Sequence, residues 1–133
     1  MKCVLLIMFL LICTELFAPQ YEVFYLIKAE VTNAYDRLIK AVVNVESGGN
    51  VWALNITEQA VGAFQIRAIR VAHFNKLTGK QYTIWDMYNY NIAQEVFLQF
   101  AIMKGLDYEA IARSWNGRGE MTDIYWEKVK ARL

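Results

Sequence analysis

The sequence predicts a mainly α domain with one small β-hairpin, on the strength of two observations. Apolar side chains recur at helical spacing in successive segments, and glycine or asparagine-glycine closes most of those segments. Residues 50–66 interrupt this pattern, because Asn, Thr and Gly break the apolar spacing there. We therefore expect helices on either side of a short loop or β-hairpin.

The first predicted helix runs from Thr32 to Glu46. Its apolar residues follow the i, i+3, i+4, i+7 spacing of a buried stripe, namely Tyr35, Leu38, Ile39, Val42, Val43 and Val45. Gly48 and Gly49 follow directly, and glycine just past a helix end readily adopts the left-handed conformation that stops the helix. This prediction places Glu46 in the last helical turn.

The later helices are predicted to cover residues 67–77, 83–103 and 108–115, with a closing helix that begins near Thr122. Thr83 and Asp86 have the spacing of a capping box variant, which marks the start of the longest helix. Asp107 is a suitable N-cap for the helix that follows, since its carboxylate can accept a hydrogen bond from an unpaired backbone N–H.

The N-terminus carries an uninterrupted apolar run from Cys3 to Cys13. This run of 11 residues is too short to cross a bilayer as a helix, which takes about 20 residues, but it fits the apolar region of a secretory signal peptide. We expect residues 1–18 to be a signal peptide or short membrane anchor. Residues 19–133 would then be an exported domain in the periplasm or cell envelope. The alternatives are lipidation at Cys13 and a buried apolar helix in a cytosolic domain.

Composition excludes several function classes. The 14 Lys and Arg residues balance 13 Asp and Glu residues, and the net charge of +1 comes without any basic run. A dedicated nucleic-acid binder needs a clustered basic surface, so that class is excluded. The glycines form no phosphate-binding loop, and no metal-ligand spacing surrounds His73. We therefore expect neither a metal site nor a cofactor.

Three segments follow one another in the order of a known set of signature blocks. They are Glu46-Ser47-Gly48-Gly49-Asn50, Gly62-Ala63-Phe64-Gln65-Ile66 and Ala112-Arg113-Ser114-Trp115-Asn116-Gly117. Together they resemble the blocks of the lysozyme-like lytic transglycosylase (SLT) family, which read roughly Glu-Ser, Gly-Leu-Met-Gln-Ile and Ala-x-x-Tyr-Asn-Ala-Gly. Asn91-Ile92 also resembles a pair that the family carries ahead of the last block. The resemblance covers nearly the whole domain and implies a lysozyme-like α+β fold.

The resemblance also implies a role for each matching residue. Glu46 would be the catalytic acid, and Gln65 would line the substrate cleft and contact sugar. Asn116 would lie near the catalytic carboxylate, and Ser47 would form local hydrogen bonds beside it. The expected substrate-binding residues are Ser47, Glu58, Gln65, Trp115 and Asn116. Trp115 stands where the family usually has tyrosine; its indole N–H can donate to a carboxylate or a sugar oxygen but cannot accept.

The position of Glu46 supports its role as an acid on physical grounds as well. A carboxylate at the C-terminal end of a helix meets the negative end of the helix dipole. Apolar neighbours such as Val43 and Phe64 disfavour the charged form. Both effects raise the pKa of Glu46, as a general acid that works near neutral pH requires.

The activity that the resemblance implies is that of a peptidoglycan lytic transglycosylase. Glu46 would protonate the bond between N-acetylmuramic acid (MurNAc) and N-acetylglucosamine (GlcNAc), then take the proton of the muramic C6 hydroxyl as a 1,6-anhydro ring closes. One alternative is a hydrolytic lysozyme with Glu58 as second carboxylate, since hydrolytic glycosidases commonly use two. Another is a glycan-binding module without catalysis. The expected partner is peptidoglycan, during secretion, conjugation or phage assembly.

Four tryptophans belong to the predicted domain. We expect Trp52 and Trp115 to be candidates for stacking on sugar rings. Trp85 and Trp126 lie within apolar helical segments, which favours places in the core.

Overall fold

The structure is a computed structural model that describes residues 28–133. The chain divides into two units, Met1–Ala34 and Tyr35–Leu133. In the first unit, residues 28–34 are helical. The signal or anchor segment predicted for residues 1–18 lies outside the described residues. Within the described part of the chain, no helix combines the length and apolar character needed to span a membrane.

The second unit is built mainly from helices, with one small antiparallel sheet. In chain order its elements are α1 (residues 35–47), β1 (Leu54–Asn55), β2 (Ala60–Val61), β3 (Ile66–Arg67), α2 (Ala68–Thr78), a 3-10 helix (Ile84–Tyr88), α3 (Tyr90–Ile102), α4 (Tyr108–Asn116) and α5 (Met121–Lys130). The predicted mainly α class is therefore confirmed for the described residues.

Helix α1 buries the predicted apolar stripe and ends where predicted. Leu38, Ile39 and Val42 are almost fully buried, because their spacing places them on one side of the helix. The helix ends at Gly48, whose φ of 64° is left-handed and whose N–H donates to the Asn44 carbonyl oxygen at 3.0 Å. As a result, Glu46 lies in the last turn of α1.

The predicted hairpin is confirmed, and the structure adds a third strand to it. Strand β1 pairs with β2, and β2 pairs with β3, all antiparallel, in the order β1-β2-β3. Ala60 pairs with both Asn55 and Arg67, which places β2 in the centre of the sheet. Arg67 was expected to begin the second helix but ends β3 instead, so α2 starts one residue later.

The third predicted helix is wrong in one respect, because it is interrupted at Asn89. Its predicted cap is present: the backbone N–H and the hydroxyl of Thr83 donate to Asp86 Oδ2 at 2.6 and 2.8 Å. That cap starts only the 3-10 helix. The Asn89 side chain accepts hydrogen bonds from the N–H groups of Asn91 and Ile92, at 3.0 and 3.4 Å, and so begins α3 anew.

One of the two tryptophans predicted to lie in the core is exposed. Trp85 belongs to the 3-10 helix and is 64% exposed, so its predicted place in the core is wrong. Trp126 on α5 is buried, as predicted.

The 3-10 helix packs against the turn between β2 and β3 through Gly62. A Cβ atom at this glycine would lie 2.2 Å from the carbonyl oxygen of Met87, whose side chain is fully buried. Only a residue without a side chain fits this contact. Gly62 also has a left-handed φ of 78°, which favours glycine for a second reason.

Helices α4 and α5 form the closing part of the unit. Asp107 Oδ1 accepts a hydrogen bond from the Ala110 N–H at 2.9 Å, which confirms the predicted N-cap of α4. Arg113 on α4 pairs with Asp123 on α5. Together the two helices bring Asn116 and Tyr125 towards the end of α1, where both line the same cavity as Glu46.

Candidate active site

A cavity of about 690 Å³ lies where the ends of several elements meet. Its lining comes from the last turn of α1, the sheet, the start of α2, the end of α4 and the exposed side of α5. The lining residues include Glu46, Glu58, Gln65, Arg67, Arg70, Trp115, Asn116, Arg118, Tyr125 and Lys128. The structure thus brings residues from all three signature blocks to one place.

Glu46 carries the most perturbed carboxyl group of the cavity. Its pKa is raised from 4.5 to about 7, and burial, which disfavours the charged form, is the largest cause. The Tyr125 hydroxyl donates to Glu46 Oε1 at 2.7 Å, and this hydrogen bond lowers the pKa in part. Nearby Glu58 raises the pKa further, whereas Arg67 and Arg70 lower it.

A pKa near 7 means that Glu46 exists in both protonation states at neutral pH. Such a group can donate a proton and take one back at little cost in either direction. The raised pKa was predicted, and its largest cause is the loss of water around the carboxyl group.

The same pKa makes folding stability depend on pH, and we expect Glu46→Gln to remove this dependence. As pH rises from 4.5 to about 7, the unfolded chain loses the Glu46 proton before the folded protein does. The folded state therefore loses stability across this window, by up to about 3 kcal/mol. Urea unfolding should show Glu46→Gln matching wild type at pH 4 and exceeding it at pH 8. Parallel pH profiles for the two proteins would contradict the raised pKa.

Ser47 joins the end of α1 to the second block. Its hydroxyl donates to the Ala63 carbonyl oxygen at 2.8 Å. Ser47 is not among the residues that line the cavity. The Ser47 side chain therefore forms a local hydrogen bond next to Glu46, and its expected contact with substrate stays a prediction.

Gln65 lines the cavity in a conformation that few non-glycine residues adopt. Its φ is 49°, in the left-handed region. Its backbone N–H and side-chain Nε2 both donate to the Gly62 carbonyl oxygen, at 3.1 and 3.0 Å, and hold the tight turn together. Within residues 28–133, one amide N–H and the amide oxygen are left for another partner. Strained backbone of this kind clusters at binding and catalytic sites.

Trp115 forms a wall of the cavity rather than an open stacking surface. It is 7% exposed, and its Nε1–H donates to the Phe64 carbonyl oxygen at 3.3 Å. The guanidinium carbon of Arg70 lies 4.2 Å from the ring centroid, and Phe97 meets the ring at 74°. Its predicted stacking on sugar therefore lacks an exposed ring face. Asn116, the last residue of α4, is exposed and lines the cavity.

Glu58 lines the same cavity as Glu46, from the turn between β1 and β2. Its Oε2 forms an ion pair with the Arg67 guanidinium, and its side chain is about half exposed. A second carboxylate is therefore present, but one of its oxygens is occupied by a cation.

Sequence analysis did not identify Tyr125 and Arg70 as site residues. Tyr125 lies 79 residues from Glu46, and its sequence context indicates only an apolar face of α5. Arg70 Nη2 donates to the Trp115 carbonyl oxygen at 3.1 Å, 45 residues away. Neither contact has a local signal, because both arise only when distant helices pack together.

Trp52 lies outside the residues that line the cavity. It is 72% exposed and forms a surface cluster with Tyr88 and Trp85, at centroid distances of 5.4 Å from Trp52 to Tyr88 and 6.2 Å from Tyr88 to Trp85. Its predicted stacking on sugar would therefore take place away from Glu46.

Among residues 28–133, no group of three or more His, Cys, Asp or Glu side chains could hold a metal ion. Comparison of the chain with protein-family models, with curated proteins and with solved structures finds no match.

Proposed function

We propose that this protein is a peptidoglycan lytic transglycosylase with a lysozyme-like domain, exported to the cell envelope. The observation that carries the proposal is Glu46, a carboxyl group with a pKa of about 7 that lines an open cavity. Residues from all three blocks of the family resemblance surround this group.

In the first step, protonated Glu46 gives its proton to the oxygen that links MurNAc C1 to GlcNAc C4. The C1–O bond breaks, GlcNAc leaves with a hydroxyl group at C4, and positive charge develops at MurNAc C1. Glu46 is then a carboxylate. The hydrogen bond from Tyr125, at 2.7 Å, stabilises this charged form.

In the second step, the Glu46 carboxylate takes the proton of the MurNAc C6 hydroxyl, and O6 bonds to C1. This step closes the 1,6-anhydro ring and returns Glu46 to its protonated state without consuming water. One carboxyl group acts as acid and then as base, for which a pKa near the working pH is most effective.

A hydrolytic lysozyme is the second candidate, and Glu58 is the observation that favours it. Glu58 lines the same cavity and could activate water as the second carboxylate. Its ion pair with Arg67 occupies Oε2, which leaves less of the carboxylate for a water molecule. We therefore favour the transglycosylase over the hydrolytic lysozyme.

Mass spectrometry of the muropeptides released from purified peptidoglycan by the full chain tests the proposal. We expect ends that carry 1,6-anhydro-muramic acid, lighter by one water than reducing ends. Reducing ends would show attack by water and favour the lysozyme. Failure to release any fragment from peptidoglycan would overturn both enzymes.

Tyr125→Phe should change the pH dependence of the reaction. We expect kcat/KM of the wild type to fall above pH about 7, because Glu46 loses the proton that it must donate. Removing the Tyr125 hydroxyl removes a hydrogen bond that lowers the pKa of Glu46. Since a hydrogen bond to a charged group contributes about 1.5–3 kcal/mol, the alkaline limb should move up by about one to two pH units.

Tyr82→Phe is the matched control. The Tyr82 hydroxyl donates to Glu95 Oε2 at 3.1 Å, and Tyr82 does not line the cavity. Its pH profile should match that of the wild type. If the alkaline limb of the Tyr125→Phe pH profile also fails to shift, the ionisation that limits kcat/KM does not belong to Glu46.

A further inference from the structure

The cavity holds more positive than negative charge. Four cationic side chains line it, Arg67, Arg70, Arg118 and Lys128, against the carboxyl groups of Glu46 and Glu58. Arg67 and Glu58 neutralise each other in an ion pair. Three cations then face a single carboxyl group, Glu46, which is partly protonated near pH 7. The whole chain has a net charge of only +1, so positive charge is concentrated at this cavity.

Arg118 and Lys128 have no acidic partner within residues 28–133. Elsewhere on the surface Lys40, Lys80 and Arg113 each pair with a carboxylate, whereas Lys76 and Lys104 form no ion pair within the described residues. The Arg118 and Lys128 side chains are exposed, and they are therefore available to a ligand.

The positions of these two cations place them close to the proposed chemistry. Arg118 follows Asn116 by two residues, in the turn between α4 and α5. Lys128 lies one helical turn beyond Tyr125, on the same side of α5. A substrate bound in the cavity of Glu46 can therefore meet both charges.

Arg70 is the third cation and is held rigidly. Its guanidinium lies over Trp115 and donates to the Trp115 carbonyl oxygen at 3.1 Å. Burial lowers the pKa of this guanidinium, because the charge is costly away from water, and nearby Glu46 offsets part of that effect. An anionic ligand in the cavity would stabilise the charge further.

We infer that Arg118 and Lys128, with Arg70 behind them, form an anion subsite that binds carboxylate groups of the glycan substrate. The inference rests on the proposed function and defines its substrate class as an acidic glycan. Arginine suits this role, since its planar guanidinium binds carboxylates through paired hydrogen bonds. In peptidoglycan the carboxylates belong to the stem peptides or, where the peptide is missing, to the lactyl group of MurNAc.

Binding to the full-length Glu46→Gln variant tests the subsite without consuming the ligand. The probes are a GlcNAc–MurNAc tetrasaccharide with stem peptides, the same tetrasaccharide without peptides, and chitotetraose, which has no carboxylate. We expect the peptide-bearing probe to bind about tenfold more tightly than chitotetraose at low salt. The difference should shrink at high salt, because screening weakens exposed charge contacts. The peptide-free probe shows which carboxylates the subsite uses.

Replacing both Arg118 and Lys128 by alanine in the Glu46→Gln background identifies the residues responsible. Exposed ion pairs are individually weak, so the peptide-bearing probe should bind roughly fivefold more weakly. Binding of chitotetraose should not change. A variant with Arg118→Lys and Lys128→Arg should keep the preference, because it keeps both charges. Lys76→Ala, an exposed change outside the cavity, serves as control.

The outcomes separate this inference from the proposed function. If all probes bind equally while the wild type still forms anhydro ends, the subsite is wrong and the proposed function stands. Equal weakening of charged and neutral probes in the double variant would likewise overturn the subsite. If no probe binds and no anhydro ends form, both proposals fail.

Discussion

Glu46→Gln should lower kcat for peptidoglycan cleavage by about 10³-fold, within the range that general acid–base catalysis contributes. An amide cannot give a proton to the glycosidic oxygen, nor can it take one from the C6 hydroxyl. The amide oxygen can still accept the hydrogen bond from Tyr125, so the cavity should keep its shape. The measurement is the rate of muropeptide release, with circular dichroism to show that the helices are intact.

Glu58→Gln is the matched control, since it changes the other carboxylate of the same cavity. We expect its kcat to fall less than about tenfold, because the transglycosylase mechanism needs only one carboxyl group. Losses of similar size in both variants would instead indicate the two-carboxylate mechanism of a hydrolase. Full activity of Glu46→Gln would show that another group is the acid.

Gly62→Ala should produce the largest loss of stability, about 4 kcal/mol in the free energy of unfolding. The added Cβ would lie 2.2 Å from the backbone carbonyl oxygen of Met87, and neither backbone segment can move aside cheaply. The left-handed φ of 78° adds strain for any residue with a side chain. Because small domains are stable by about 5–15 kcal/mol, such a loss is a large fraction of the total.

Gly79→Ala introduces the backbone strain without the steric clash, so comparing it with Gly62→Ala separates the two effects. Gly79 has a φ of 74°, close to that of Gly62, but a Cβ there would meet nothing within 4 Å. Gly79→Ala should lower the free energy of unfolding by about 1–2 kcal/mol, from the left-handed conformation alone. Urea unfolding of both variants gives the comparison. Equal losses would mean that the contact between Gly62 and Met87 is looser than the structure shows.

Local signals in the sequence predicted the parts of the fold that local interactions determine. The apolar spacing of α1 and the Asp107 cap were sufficient, because a helix and its cap lie within a few residues of each other. Asn89 shows the limit of such signals. Two adequate caps lie six residues apart at Thr83 and Asn89, and the chain uses both, with the 3-10 helix between them packed against the turn at Gly62. Local sequence does not predict that contact.

The residues of the candidate site likewise fall into two groups, those that local sequence patterns identified and those that they could not. Block order identified Glu46, Gln65 and Asn116, and all three line one cavity. The hydrogen bond from Tyr125 to Glu46 joins residues 79 positions apart, and no spacing rule connects them. Two of the tryptophan predictions are reversed: Trp85, expected in the core, is exposed, and Trp115, expected to stack on sugar, is buried beneath Arg70.

The turn at residues 62–65 should tolerate no insertion. Gly62 meets Met87, Ala63 accepts a hydrogen bond from Ser47, and Phe64 accepts one from Trp115, so consecutive residues contact three separate helices. Inserting one residue there would shift all three contacts at once. Between β1 and β2, residues 56–59 are all exposed and could lengthen without that cost. Relatives of this protein should therefore differ in length at the tip of the hairpin and keep the 62–65 turn unchanged.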